Sequence, residues 1–283
     1  MKKLIQRMTG WDFIRMGKGI ESRYARCADY WQPHLECSKA FVANNVREGG
    51  TLAVLGAGRL LDINLLELVA RFDQIHLYDA DPTVISSWKK KAGSAYGDKV
   101  FGHIEDVTGS LARWTRGLSR AGRAGKLKEY LSELEVGSGA WEHQGYDGVI
   151  SLNIIGQLPL YWRDRVLNLN PQLNDDENAA LQGSMGRLQI AHIEALNRVS
   201  SGWAIAISDT EYYTYRVDES SWTVDPALHG KSRDAFDDML VESSGSCGEA
   251  WLWHLAPQFV ESDTEGAIHR VEARAWFNSD TRS

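Results

Sequence analysis

Nowhere in the 283 residues do roughly eighteen apolar side chains run together, so the sequence predicts no membrane-spanning helix. Cysteine is scarce: Cys27, Cys37 and Cys247 are odd in number, and none belongs to a Cys-x-x-Cys pair. That excludes a disulfide framework and a zinc knuckle, and it fits a reducing compartment. No His, Cys or carboxylate spacing has the form of a metal site, so none is expected. An excess of positive charge is also missing. The formal net charge of -7 argues against a general nucleic-acid or anionic-membrane binder. Behind Met1-Lys2-Lys3, the charged Arg7, Asp12, Arg15 and Lys18 interrupt any apolar run that could act as a secretory signal. There are no internal repeats. The expectation is a cytoplasmic protein with no membrane segment.

What is present is the balance of an ordinary globular chain, 43% hydrophobic and 24% charged, long enough for one large or two modest domains. Eleven tryptophans exceed the usual share; core packing explains most of them, and an aromatic-lined pocket is the alternative. The chain is organised around Leu52 to Pro82. There an apolar run meets Gly56-Ala57-Gly58, a helix-like segment follows, and a second apolar run ends in Asp79. Glycine turns and helix N-termini suit polar cofactor groups, and an acid one strand later suits a ribose diol.

Residues 1–48 read as a helical cap rich in aromatics, interrupted at Pro33 and stopped by Gly49-Gly50, with Arg23, Tyr24, Arg26, Trp31 and His34 of interest. The remainder, 49–283, reads as one domain. Its strands are expected at 51–56, 74–79, 100–104, 146–153 and 203–208, with helices between them. Asp62 is expected to cap the first of those helices, and Pro82 to open the second. Residues 109–143 break the rhythm as a surface insert whose arginines are most simply a solvated helical face. Residues 168–183 read as a polar loop, 186–200 as a helix and 231–241 as a further helical stretch. Two alternating runs, 249–255 and 269–277, have the pattern of a terminal antiparallel pair. The fold class that follows is α/β: a doubly wound, mostly parallel seven-stranded sheet with a C-terminal antiparallel hairpin and an N-terminal helical cap.

Dinucleotide binders need a third glycine, where Leu61 stands here, which points away from a nicotinamide cofactor. The ordered set of turn and acids instead resembles the class I S-adenosylmethionine-dependent methyltransferases over roughly residues 50 to 277. The resemblance implies that Gly56, Ala57 and Gly58 approach the methionine and ribose part of S-adenosylmethionine. It implies that Asp79 holds the ribose hydroxyls, with Ala80 and Asp81 beside it, and that Asp106 or Glu105 meets the adenine amino group. Asn153 and Ile154 would line the pocket after strand four. Val54 and Leu60 depart from the family's acid and third glycine, and Asn153 is followed by Ile154-Ile155-Gly156 where base and glutamine methylases carry Pro-Pro-Tyr.

The expected activity is methyl transfer to oxygen or nitrogen of a small molecule. Asp209 and Tyr212, at the end of strand five, are candidate bases, and Gln157 is a candidate for orienting the substrate. His192, in mid-helix, is expected to be a satisfied buried histidine. Three alternatives stand beside this reading. They are a non-catalytic cofactor-binding protein of the same fold, a nicotinamide-dependent oxidoreductase, and an RNA methyltransferase using the arginine-rich insert.

Overall fold

A computed structural model describes residues 2–216, 221–238 and 246–277. The described chain opens with α1 (Lys2–Asn45), two helical stretches joined at a kink, and the second stretch runs through Pro33 where the sequence predicts a break. The bend falls earlier, at Cys27 (φ -112°, ψ 18°). Pro33 itself stands inside the helix that follows this kink.

Strands β1 (Thr51–Leu55), β2 (Gln74–Asp79) and β3 (Val100–Ile104) are parallel neighbours, connected through α2 (Leu65–Arg71) and α3 (Ile85–Ala92). Side chains alternate across β1. Leu52 and Val54 face a core shared with α1, α2 and α3, whereas Ala53 and Leu55 face the opposite one. The cap of α2 is Asn64, whose side chain accepts from the Glu67 N–H, and not Asp62. Asp62 lies two residues before that cap and is bound elsewhere.

After β3 come α4 (Leu111–Arg123) and α5 (Leu127–Ser132), then β4 (Tyr146–Leu152), α6 (Leu158–Leu169) and α7 (Asp175–Val199). The segment expected to be a polar loop is half helix. Asn174 and Glu177 form a reciprocal capping box, and Asp175, Asp176 and Glu177 complement the helix dipole in the first turn. Polar residues at a helix start read like a loop when their cap geometry is overlooked. Helices α4 to α7 share a third apolar cluster containing Leu118, Leu131, Trp162 and Leu188, while Arg113, Arg116, Arg120 and Arg123 stay exposed. Trp88, Trp114, Trp141 and Trp162 are fully buried packing residues.

The last elements are β5 (Ser200–Arg216), β6 (Ser221–Pro226), α8 (Ser232–Asp238), β7 (Cys247–Ala256) and β8 (Glu265–Phe277). The sheet order is β3-β2-β1-β4-β5-β8-β7, parallel through β5 and antiparallel beyond it. An eighth strand, β6, adds to the seven expected. Strand β5 runs on to Arg216 because β6 pairs with Glu211–Arg216 along one edge while β8 pairs along the other. Helices α7 and α8 cover the face opposite α1–α3, which completes the doubly wound arrangement. Among the described residues no helix is long and apolar enough to cross a membrane.

Candidate active site

The strand order reverses between β1 and β4, which opens a crevice at the carboxyl ends of the parallel strands. A cavity of about 480 Å³ occupies it, floored by the ends of β1 to β5 and walled by α1 and the β7–β8 hairpin. Every candidate site residue lies on its wall except Ala57 and Tyr212. Ala57 is packed into the core, with its N–H on the Tyr78 carbonyl at 3.0 Å. Tyr212 donates its hydroxyl to the Gly156 carbonyl at 3.0 Å, and burial beside Asp209 raises its pKa, so it supports the loop after β4 instead of facing the cavity.

The glycine turn is tight for a stated reason. Gly56 has φ +70°, and a Cβ there would lie 2.2 Å from Ile154 Cγ2. The backbone also keeps the conformation of a third glycine at Leu60, whose φ is 56°. Gly58 donates its N–H to Asp79 Oδ2 at 2.8 Å, and Asp81 donates its N–H to Asp79 Oδ1 at 2.8 Å. Each Asp79 oxygen therefore keeps a second lone pair for a ligand diol. Burial raises the Asp79 pKa against the pull of these two N–H groups. Asp81 is turned to local work, accepting from the Thr83 N–H and hydroxyl.

Asp106 accepts from the Thr108 N–H and hydroxyl on Oδ1 and from the Leu111 N–H on Oδ2, starting α4. One site on Oδ2 stays open at the cavity wall, and burial raises this carboxyl too. Glu105 instead takes the Ala140 and Trp141 N–H groups of the segment before β4. Burial is also the main cause of its raised pKa. Next to Asp106 the Phe13 and Tyr161 rings stack 4.7 Å apart, and burial pushes the Tyr161 phenol up to about 12.

Asn153 takes a left-handed conformation, φ 52°, anchored by its N–H on the Ile207 carbonyl at 2.7 Å. Its Nδ2 donates to Asp62 Oδ1 at 2.9 Å, whereas its Oδ1 is buried without a partner. His34 of α1 meets the same Asp62 oxygen through Nε2 at 3.1 Å and accepts from Trp251 Nε1 at Nδ1. An indole N–H can only donate, so the His34 ring carries its proton on Nε2. Gln157 stands on the wall at the start of α6.

Asp209 is fully buried, and neither carboxylate oxygen has a hydrogen-bond partner; it caps no turn. His269 Nδ1 lies 3.2 Å from its Oδ1, and the His269 ring is also on the cavity wall. A bulge in the β5–β8 pairing between Asp209 and Glu211 sets this meeting. His192 is the buried histidine expected, hydrogen-bonded to Ser151 Oγ at 2.9 Å and lowered to about 3 by desolvation.

Asp62, Trp253 and His269 are the site residues absent from the sequence reading. A histidine inside an alternating strand was the available signal, but only the pairing of that strand with β5 brings it to Asp209. Among the described residues no group of His, Cys, Asp and Glu has the arrangement of a metal site.

No family model matches the chain, and no curated protein matches it. Solved structures with a similar course include the magnesium protoporphyrin IX methyltransferase of Synechocystis PCC 6803 with bound SAH. It is 11% identical with a TM-score of 0.43, covering 94% of this chain and 99% of that one. The N-methyltransferase NodS of Bradyrhizobium japonicum WM9 is 8% identical with a TM-score of 0.36, covering 87% and 93%. The precorrin 8w decarboxylase of Methanobacterium thermoautotrophicum is 11% identical with a TM-score of 0.37, covering 83% and 84%. Likenesses this distant decide nothing about the chemistry of the site.

Proposed function

We propose that the chain is an S-adenosylmethionine-dependent methyltransferase acting on oxygen or nitrogen of a small molecule. One observation carries the reading. The β1/β4 crevice gathers Gly56, Gly58, Asp79, Asp106 and Asn153 on one cavity, with the acceptors in the order that a methionine end, a ribose and an adenine require. The residues fit the cofactor. Asp79 keeps two lone pairs for a diol, Asp106 keeps one for an amino group, and Asn153 Oδ1 and Asp62 are acceptors beside the glycine turn, suited to an ammonium.

When bound, the cofactor supplies an electrophilic methyl group on a sulfonium, so the protein needs to align, enclose and deprotonate. Alignment falls to the Gly56–Gly58 turn and Asp79. Enclosure falls to α1, whose Phe13, Met16, Gly17 and Ile20 close the cavity opposite the sheet. In this reading residues 1–48 are a cap over the site. Three free cysteines suit a reducing, cytoplasmic setting. The cavity is sized for small ligands, which favours a small acceptor over RNA.

Calorimetry of the purified chain with S-adenosylmethionine, S-adenosylhomocysteine and NAD tests the reading. Binding of the first two and not the third is expected. Binding of NAD alone would sink it.

A further inference from the structure

Among the described residues of this cavity wall, Arg59 Nε and the Tyr161 hydroxyl are buried without hydrogen bonds, and a second group of such atoms gathers around Asp209 and Trp253. Oδ2 of Asp209 and Nε1 of Trp253 are buried and lack hydrogen bonds, and beside them Asp209 Oδ1 and His269 Nδ1 face each other at 3.2 Å with no third partner. Buried polar groups are generally paired, and a cluster of exceptions on one cavity wall marks a place where a ligand completes the pairing. The end of the cavity around Asp209 and Trp253 is also aromatic. The His34 ring stacks on Trp253 at 4.2 Å and 9°, and Trp31 and His269 meet Trp253 edge-on at 4.8 and 5.6 Å. Its charge is also informative. The wall carries two arginines, and both are engaged: Arg23 with Glu261 at 3.2 Å, and Arg59 with Thr83 and Glu21. Each of these arginines already has a carboxylate partner, with which an incoming carboxylate or phosphate would compete.

We propose that this end of the cavity receives a small planar aromatic molecule bearing a hydroxyl, and that His269, oriented by Asp209, takes the proton from that hydroxyl. The proposal rests on the methyltransferase reading and names its acceptor class. His34 is unsuited to the task because both of its ring nitrogens are committed, one to Trp251 and one to Asp62. Tyr212 is committed to the Gly156 carbonyl. His269 faces Asp209 and Tyr212 from β5, and His34 lies beyond the Trp253 ring. A carboxylate only accepts, so Asp209 holds the His269 proton on Nδ1 and leaves Nε2 with its lone pair. In the step, the O–H bond breaks with its electron pair left on oxygen. A new N–H bond forms at Nε2, and Asp209 offsets the imidazolium charge. Asp209 acts through His269 and is a positioning residue.

The test titrates 4-nitrophenol into the full chain saturated with S-adenosylhomocysteine, at a pH below the free phenol's own pKa. The visible spectrum distinguishes bound phenolate from bound phenol. The expected result is a phenolate band in the wild type that is lost in His269→Gln and weakened in Asp209→Asn, with S-adenosylhomocysteine affinity unchanged within about twofold. A bound probe that stays neutral overturns the proposal, as does an undiminished band in His269→Gln. So does failure of 4-nitrophenol to bind where benzylamine does, which would mark an amine site. The titration is repeated without S-adenosylhomocysteine. A His269-dependent phenolate band in a chain that binds no S-adenosylhomocysteine keeps the acceptor end and strikes the methyl-transfer reading instead.

Discussion

The Gly58 N–H donates to Asp79 Oδ2 at 2.8 Å, joining the turn after β1 to the end of β2 across 21 residues of sequence. Trp88 Nε1 holds the other side of the same glycine, donating to its carbonyl at 2.8 Å. Asp79 is thus both the clamp of the glycine turn and the wall of the cavity. Asp79→Asn keeps an acceptor but loses the charge, and S-adenosylhomocysteine affinity is expected to fall by about 1 to 3 kcal/mol. Calorimetry measures the loss, and urea unfolding shows whether the fold is intact. Unchanged affinity would place the ribose elsewhere.

The pH dependence follows from the same group. Burial raises the Asp79 carboxyl above its ordinary 3.8, so the unliganded fold has its largest contribution from this group in acid and loses it as pH rises through the raised value. Ligand hydroxyls favour the ionised form. Binding of S-adenosylhomocysteine should therefore weaken as pH falls through that range and release protons there. Calorimetry in buffers of different ionisation enthalpy counts the protons, and their release should be smaller in Asp79→Asn. Asp106, raised for the same reason, accounts for what is left.

Gly17 of α1 lies so close to the acidic loop that a Cβ would sit 2.1 Å from Asp81 Oδ2. In an ordinary helix Gly→Ala stabilises by about 1 kcal/mol. Here the sign is expected to reverse, because either α1 or Asp81 must move. Gly17→Ala should lower the urea midpoint and weaken S-adenosylhomocysteine binding by about tenfold through a displaced wall. A stabilised variant with normal binding would show that α1 does not press on the site.

Glu272 is buried among arginines, accepting from Arg233 at 2.9 and 3.2 Å and pairing with Arg270 at 3.1 Å and with Arg274. Burial acts to raise its carboxyl, but Arg233 and Arg274 outweigh it and hold it below 4.5. Because Arg233 and Arg270 are more than a third exposed, solvent screens the pairs, and Glu272→Gln should cost only about 2 kcal/mol. The depressed carboxyl stabilises the fold above pH 4.5, and that contribution disappears as pH falls through the folded-state value. Urea unfolding at neutral and acidic pH should show the gap between wild type and variant closing in acid.

The legible part of the site was local or topological. Gly56, Gly58, Asp79, Asp106 and Asn153 stand at the ends of parallel strands, and a doubly wound sheet carries all such ends to one crevice. Identifying the strands therefore located the residues. Errors arose where an end or an edge mattered. The Asn174–Glu177 box turned a polar stretch into the start of α7, and β6 extended β5 past the point where its apolar run ends. The Leu60 backbone retains a glycine conformation in a residue that reads as a departure from the motif.

By itself the sequence determined the α/β alternation, the glycine turn and the acids that follow the strands, because each depends on spacing within a few residues. Only the tertiary structure decided which side chains meet at the far end of the cavity. His34 reaches Asp62 because α1 bends at Cys27 and crosses the site, and His269 reaches Asp209 because β8 lies between β5 and β7 with a bulge in its register. Those contacts join segments whose mutual placement depends on packing over the whole sheet, and no local pattern of residues encodes that placement.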